Sequence, residues 1–324
     1  MPDSDIDWFA GRFTDIVTNV ERVIQGKQIA IRHILYCLIA EGHALIEDVP
    51  GVGKTLLAKS LARSINCEFS RIQFTPDLLP SDVTGVSVWD RHHGEFEFKP
   101  GAIFSNIVLG DEINRASPKT QAAMLEAMEE TQVTNDGTTR ALPTPFMVIA
   151  TQNPLEHEGT YPLPESQLDR FMMRVVMGYP TRQGALDILE THGIRSSYLD
   201  LGAVVSADDV IEMIGIARKI HVAPSVKGYI VDLVEGTRDH PEILLGASPR
   251  SAVLLQRVVR VRAAAEGREY VTPDDIKGLA SPVLSHRMAL RPEAVIRGAD
   301  IDRVVESTLE GLRVPGTTSS SLAT

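Results

Sequence analysis

Between residues 6 and 40 apolar side chains recur at helical spacing, first at Ile16, Val20 and Val23 and then at Ile31, Ile34, Leu35 and Leu38. The spacing predicts two helices joined by a turn at Gln25-Gly26. The short apolar run Ala44-Leu45-Ile46 then predicts a strand. It leads into Pro50-Gly51-Val52-Gly53, after which residues 55–65 return to a helical pattern. Strand, glycine loop and helix in that order form one supersecondary unit. Two later runs, Ile107-Val108-Leu109 and Phe146-Met147-Val148-Ile149-Ala150, are rich in β-branched residues but do not alternate, as strands covered on both faces should not. A helix is predicted between them over residues 118–130, and strands separated by helices imply a parallel α/β sheet.

Two polar segments interrupt this alternation. Residues 86–90 and 95–98 flank Arg91-His92-His93-Gly94 and predict a β-hairpin. The adjacent histidines invite a metal reading, but no further histidine or cysteine lies near them in sequence. A second hairpin is predicted from residues 132–134 and 138–140 around Asn135-Asp136-Gly137, because Asp-Gly favours the left-handed conformations of a tight turn. After Tyr179-Pro180 the pattern turns helical over residues 182–192, 208–220, 225–238, 249–266 and 273–284. The expected organisation is an α/β core over residues 1–180 with inserts near 76–100 and 131–142, a smaller all-helical domain over 181–315, and a disordered polar tail over 316–324.

Composition narrows the classes. A chain of 324 residues, 43% hydrophobic and 23% charged, has the makeup of a water-soluble globular protein with room for two domains. Its longest apolar stretch, residues 29–46, contains Arg32, His33, Glu41 and His43, so membrane insertion is not expected. The acidic start of the chain does not resemble a secretory signal, and a cytoplasmic location is expected. Cys37 and Cys67 stand apart from other metal-ligating residues and read as buried free thiols. The formal charge of -11 argues against sequence-independent nucleic-acid binding.

The candidate chemistry lies at the ends of the predicted strands. Asp48-Val49-Pro50-Gly51-Val52-Gly53-Lys54-Thr55 fits the phosphate-binding loop G-x-x-x-x-G-K-[ST] everywhere except its first position, which holds Asp48 instead of glycine. Clustered phosphate charge calls for close approach of backbone N–H groups, which Gly51 and Gly53 permit, and for a helix N-terminus and a lysine. Lys54 is placed to reach the β- and γ-phosphates of ATP and Thr55 to ligate Mg2+; Pro50, Val52 and Leu56 complete the expected loop. Asp111-Glu112 follows a buried strand directly, where an acidic pair is poorly explained as a solvated face. Asp111 can orient the magnesium shell and Glu112 can polarise the attacking water as general base. Asn153, after the strand ending at Ala150, sits where α/β sheets bind ligands; it could touch the γ-phosphate or water, or simply cap the loop before Pro154.

These residues resemble the MoxR family of AAA+ ATPases. The resemblance rests on residues 49–55, Asp111-Glu112-Ile113-Asn114-Arg115-Ala116, residues 118–121, 125–130, 150–154 and 158–165, Leu168-Asp169-Arg170-Phe171 and Gly246-Ala247-Ser248-Pro249-Arg250, in the family's order and spacing. It implies an AAA+ P-loop core with a parallel central sheet and a helical lid, assembled as a homo-oligomeric ring, commonly a hexamer, with ATP at subunit interfaces. The two inserts are similar to the helix-2 and pre-sensor-1 inserts of this clade. The resemblance further implies that Asn153 is sensor 1, Arg250 sensor 2, Arg170 the arginine finger, and Ile24, Gln25 and Gly26 the segment packing against adenine. Read from its neighbours alone, Arg170 would sooner form a salt bridge with Asp169 or Glu165, and residues 24–26 could equally be a core turn. In the family Gly110 is more often alanine.

Such proteins resemble ATP-driven chaperones that mature or activate partner protein complexes, often with a von Willebrand factor A domain partner. A nucleic-acid-stimulated motor of the same clade is the alternative; Lys99 and Arg140 on the hairpins are the residues it would use. A slow nucleotide switch is a third reading, against which an intact Glu112 weighs.

Overall fold

The structure is a computed structural model that describes residues 3–154, 159–180, 182, 184, 186 and 198–315. The tail expected over residues 316–324 and, residues 182, 184 and 186 apart, the helix expected over 182–192 lie outside the described residues. The chain forms two compact units, one of Gly11–Gly215 and one of Met1–Ala10 with Ile216–Thr324.

Helices α1 (Asp3–Glu21) and α2 (Gln28–Ile39) are joined by a turn in which Gly26 has φ +68°. The first unit is organised by a sheet of β1 (Ala44–Glu47), β2 (Phe69–Gln73), β5 (Ile107–Asp111), β8 (Met147–Gln152) and β9 (Met173–Val175). The strand order is β2-β5-β8-β1-β9 and every pairing is parallel. In β1, β5 and β8 all residues but the last are buried, which explains why these runs do not alternate. Each ends in a half-exposed polar residue, Glu47, Asp111 or Gln152, so the sheet's C-terminal edge is where polar chemistry gathers.

Helix α3 (Lys54–Ser64) follows β1 and turns Leu57, Ala58 and Leu61 into the core. Helix α5 (Pro118–Glu130) starts at the cap Ser117, whose hydroxyl accepts from Thr120 N, and buries Met124, Leu125 and Met128. These side chains join Phe74, Val108, Ile113, Val148 and Phe171 in one apolar cluster. Gly110 belongs to this packing: a Cβ there would lie 3.1 Å from Phe74 Cε2 and 3.3 Å from Met124 Sδ, so an alanine would need these two side chains to give by a few tenths of an ångström. His43 ties the opposite end of the sheet together. Its Nδ1 accepts from Val148 N at 3.0 Å and its Nε2 meets Met128 O at 3.0 Å, and burial pushes its pKa down to about 4.

Both expected hairpins are present. After the short helix α4 (Pro80–Thr84), β3 (Gly85–Asp90) pairs with β4 (Glu95–Pro100); β6 (Gln132–Asn135) pairs with β7 (Thr138–Ala141). Asp136 and Gly137 have φ +50° and +74°, as a two-residue hairpin turn requires. The hairpins touch through Asn135 Nδ2, which donates to Gly85 O at 3.0 Å, and through Arg140, stacked 3.8 Å from the Phe98 ring centroid. His93 pairs with Asp90 of its own hairpin at 2.6 Å. A short helix α6 (Glu165–Leu168) precedes β9.

After α7 (Ala207–Lys219), the second unit is helical over α8 (Pro224–Asp239), α9 (Pro249–Ala265), α10 (Pro273–Leu284), α11 (Pro292–Ile296) and α12 (Ile301–Gly311). Helix α10 opens with a capping box in which the buried Asp275 accepts from Thr272 N, and Arg268 forks onto the same carboxylate at 2.7 and 2.8 Å. The helices expected over 208–220, 225–238, 249–266 and 273–284 are present; α11, α12 and a short antiparallel ladder of β10 (Ile243–Leu245) and β11 (Ala289–Leu290), which departs from an all-helical domain, were not expected. Among the described residues no helix is long and apolar enough to cross a membrane. Cys37 is buried and Cys67 half-buried, both as free thiols; burial pushes the Cys67 pKa up to about 11.

Candidate active site

Because β8 lies between β1 and β5, the segments leaving these three strands emerge side by side. That is the crevice at which open α/β sheets take ligands. Gly51 and Gly53 have φ +85° and +96°, the left-handed region that favours glycine, so both glycines of the loop are required by its backbone. Asp48, at the first motif position, is not left-handed, so the missing glycine creates no strain there. Gly53 directly precedes α3, and the first amide groups of a helix have no partner within it. Lys54 Nζ donates to Asp48 O at 2.8 Å.

A cavity of about 360 Å³ is lined by Pro50, Gly51, Gly53, Lys54, Thr55, Leu56, Asp111, Glu112 and Asn153. The phosphate-loop pattern, the acidic pair and the strand-exit asparagine, far apart in sequence, therefore share one space. Val52 is in the loop but not in that lining. Ile24 is buried beside the loop, its Cδ1 3.7 Å from where a Gly53 Cβ would stand.

The acidic pair is held by residues that sequence reading missed. Thr151 Oγ1 donates to Asp111 Oδ1 at 2.6 Å and accepts from Glu112 N at 3.0 Å, fastening the pair to β8. Arg71 reaches Asp111 Oδ2 through Nη2 at 2.6 Å and Nε at 3.2 Å. Glu112 Oε2 accepts from Gln73 Nε2 at 2.9 Å and from Arg115 Nη1 at 3.1 Å. Glu112 has φ +58°, uncommon for a residue with a side chain and costing on the order of 1 kcal/mol or more. The signal for Arg71 and Gln73 was their alternation at the end of β2, but only the register that sets Gln73 against Asp111 shows which carboxylates they meet.

Arg170 lies outside the cavity lining. Its Nη1 donates to Leu125 O at 2.9 Å and pairs with Glu129 on α5 at 2.9 Å. Arg250 is exposed in the first turn of α9, within the second unit. Asn153 is buried at the exit of β8.

Comparison with known proteins gives a consistent picture. Residues 43–173 match the family model for ATPases associated with various cellular activities (AAA), and residues 235–308 match that of the AAA lid domain. The Bacillus subtilis protein YeaC, itself uncharacterized, is 49% identical over 92% of this chain and 93% of its own. The Mycobacterium tuberculosis chaperone MoxR1 is 36% identical over 92% of this chain and 81% of its own, and protein MoxR of Methylorubrum extorquens is 30% identical over 91% and 92%. The crystal structure of a candidate ATPase from Cytophaga hutchinsonii superposes with a TM-score of 0.90 at 38% identity, covering 96% of this chain and 97% of that one.

Proposed function

The chain belongs to the MoxR family of AAA+ ATPases, and from that premise we propose that it hydrolyses ATP with Mg2+ to remodel, mature or activate partner protein complexes. The observation that carries this reading is the single cavity into which Lys54 and Thr55 converge with Asp111, Glu112 and Asn153.

The residues present suit the groups the family implies. Gly51 and Gly53 leave backbone amides open to an anion, and the Thr55 hydroxyl with the Asp111 carboxylate is a hard oxygen donor set of the kind Mg2+ takes. Bound there, the metal would neutralise charge on the phosphate oxygens. Lys54 exchanges its bond to Asp48 O for the β- and γ-phosphates. Glu112 orients a water towards the γ-phosphorus and accepts its proton, while the Asn153 amide holds the γ-phosphate or that water. Ile24, Gln25 and Gly26 border the base. Residues 1–180 serve as the nucleotide-binding core and 181–315 as the lid carrying Arg250 as second sensor.

Arg170 acts on a neighbouring subunit's ATP in a ring, a hexamer in our reading, and leaves Glu129 to do so. A guanidinium aimed at γ-phosphate charge supplies about 10³ to 10⁵ in rate in related enzymes, roughly 4 to 7 kcal/mol. Client complexes are engaged directly or through a von Willebrand factor A domain protein. The exposed Trp89 and Phe96 on the β3–β4 hairpin, 5.1 Å apart, offer an apolar surface for them.

Steady-state ATP turnover tests the reading. Magnesium-dependent hydrolysis stimulated by a co-purifying protein and indifferent to single-stranded DNA is expected. Stimulation by DNA alone would replace the remodeller with a nucleic-acid motor.

A further inference from the structure

Asp48 departs from the loop pattern without any backbone need, and its carboxylate is buried, where an isolated charge is costly. The compensation is visible. Oδ1 accepts from Val49 N at 2.8 Å, and Oδ2 accepts from Met177 N at 2.7 Å and Gly178 N at 2.5 Å. Residues 177–179 form the turn by which the chain leaves β9, with Gly178 at φ +64°. Successive N–H groups presented by such a turn make a concavity that holds an anion, and here the anion is the side chain of the phosphate loop itself.

The other side of the same turn is gripped by a cation. Lys27 Nζ donates to Met177 O at 2.7 Å, Gly178 O at 2.9 Å and Tyr179 O at 2.8 Å. Lys27 follows the Gly26 turn, whose neighbour Ile24 reaches Gly53. A carboxylate takes the turn's amides and an ammonium takes its carbonyls, so the two charges act through the peptide groups between them. The backbone carbonyl of Asp48 meanwhile is the acceptor for Lys54 Nζ.

We propose that Asp48 is a positioning residue which, with Lys27, clamps the turn at residues 177–179 to the phosphate loop, so that filling the loop moves the turn. Lys54 is the trigger: phosphate draws its ammonium off Asp48 O, and residue 48, still hinged on β8 through the bond from its N–H to Gln152 O, shifts the attached turn with it. The turn immediately precedes residue 181, where we place the start of the lid. Only this nucleotide-dependent half rests on the proposed function; the clamp itself does not.

Amide hydrogen exchange of the full chain, read at residues 177 and 178, tests both halves. Without nucleotide, both amides are expected to exchange more than about ten-fold faster in Asp48→Gly and Asp48→Asn than in the natural chain, because bonds to a charged acceptor are lost. Amides of β5 and β8 should keep their natural rates, showing an intact sheet. Lys27→Gln, which leaves the phosphate loop untouched, should accelerate the same two amides. On adding Mg2+ and a slowly hydrolysed ATP analogue, their rates should change in the natural chain and stay fixed in Asp48→Gly. Unchanged protection of residues 177 and 178 in Asp48→Gly, or a nucleotide response persisting there, overturns the clamp. A natural chain that fails to bind a fluorescent ATP analogue overturns the proposed function instead, and the nucleotide-free comparison still decides the clamp.

Discussion

Gln73 Nε2 donates to Glu112 Oε2 across 2.9 Å, joining the last residue of β2 to the residue that follows β5. The carboxylate proposed as general base is thus shared with an amide and with Arg115. Those bonds fix the direction of the carboxylate, and Oε2 must give one of them up before it can take a proton from water. Gln73→Ala is expected to raise basal ATP turnover about five-fold, the equivalent of one hydrogen bond of about 1 kcal/mol, with nucleotide affinity unchanged. A turnover assay beside a binding titration checks it; a fall in turnover would show that Gln73 holds Glu112 in its working position.

Lys54→Ala removes the ammonium from the cavity shared with Asp111 and Glu112. Nucleotide affinity is expected to fall by a factor of about 100 or more, since bonds between charged groups at a phosphate are among the strongest available. Isothermal titration with ATP and Mg2+ measures this, and affinity within a few-fold of the natural chain would remove Lys54 from the phosphate site.

Arg170→Ala should keep nucleotide binding and lose most hydrolysis, by about 10³-fold. Its ion pair with Glu129 is part-exposed, so the accompanying loss of stability is expected to stay below about 1 kcal/mol. Mixing Arg170→Ala with Glu112→Gln subunits should recover activity if each supplies what the other lacks across an interface. Full turnover by the arginine variant alone would leave the Glu129 pair as its whole role.

His43 sets a pH dependence. Its Nδ1 accepts a backbone N–H, so the ring is held neutral, and its pKa falls from 6.5 to about 4 on folding. The unfolded chain binds this proton between those values and the folded chain does not, so stability is unaffected above pH 6.5 and declines as pH falls towards 4. The loss is about 2 kcal/mol at pH 5. Thermal unfolding between pH 7 and 5 should show this decline, and His43→Gln should flatten it; parallel curves would place the pH dependence elsewhere.

What was legible in the sequence was local. The phosphate loop, the acidic pair, both hairpins and the helices at residues 118–130 and 273–284 each depend on neighbouring residues, and the structure has them where the pattern puts them. The partners of those residues were not legible, because strand order decides them. Thr151 meets Asp111 only because β8 lies beside β5, and Asp48 meets residues 177 and 178 only because β9 lies beside β1. Arg170 finds Glu129, well away in sequence, where sequence neighbours had suggested Asp169 or Glu165. The ladder of β10 and β11 is too short to leave a periodic trace. Helix α12 does leave one, burying Val304, Val305 and Thr308 along one stripe, and the reading of the sequence did not include it.

The gathering of Lys54 with Glu112 around one nucleotide is tested most directly by measuring ATP binding and turnover in the natural chain and in Glu112→Gln side by side. Equal affinity for ATP with Mg2+ is expected, with turnover at least about 100-fold slower in the variant. Equal turnover in the two, or no binding by the natural chain, would contradict it.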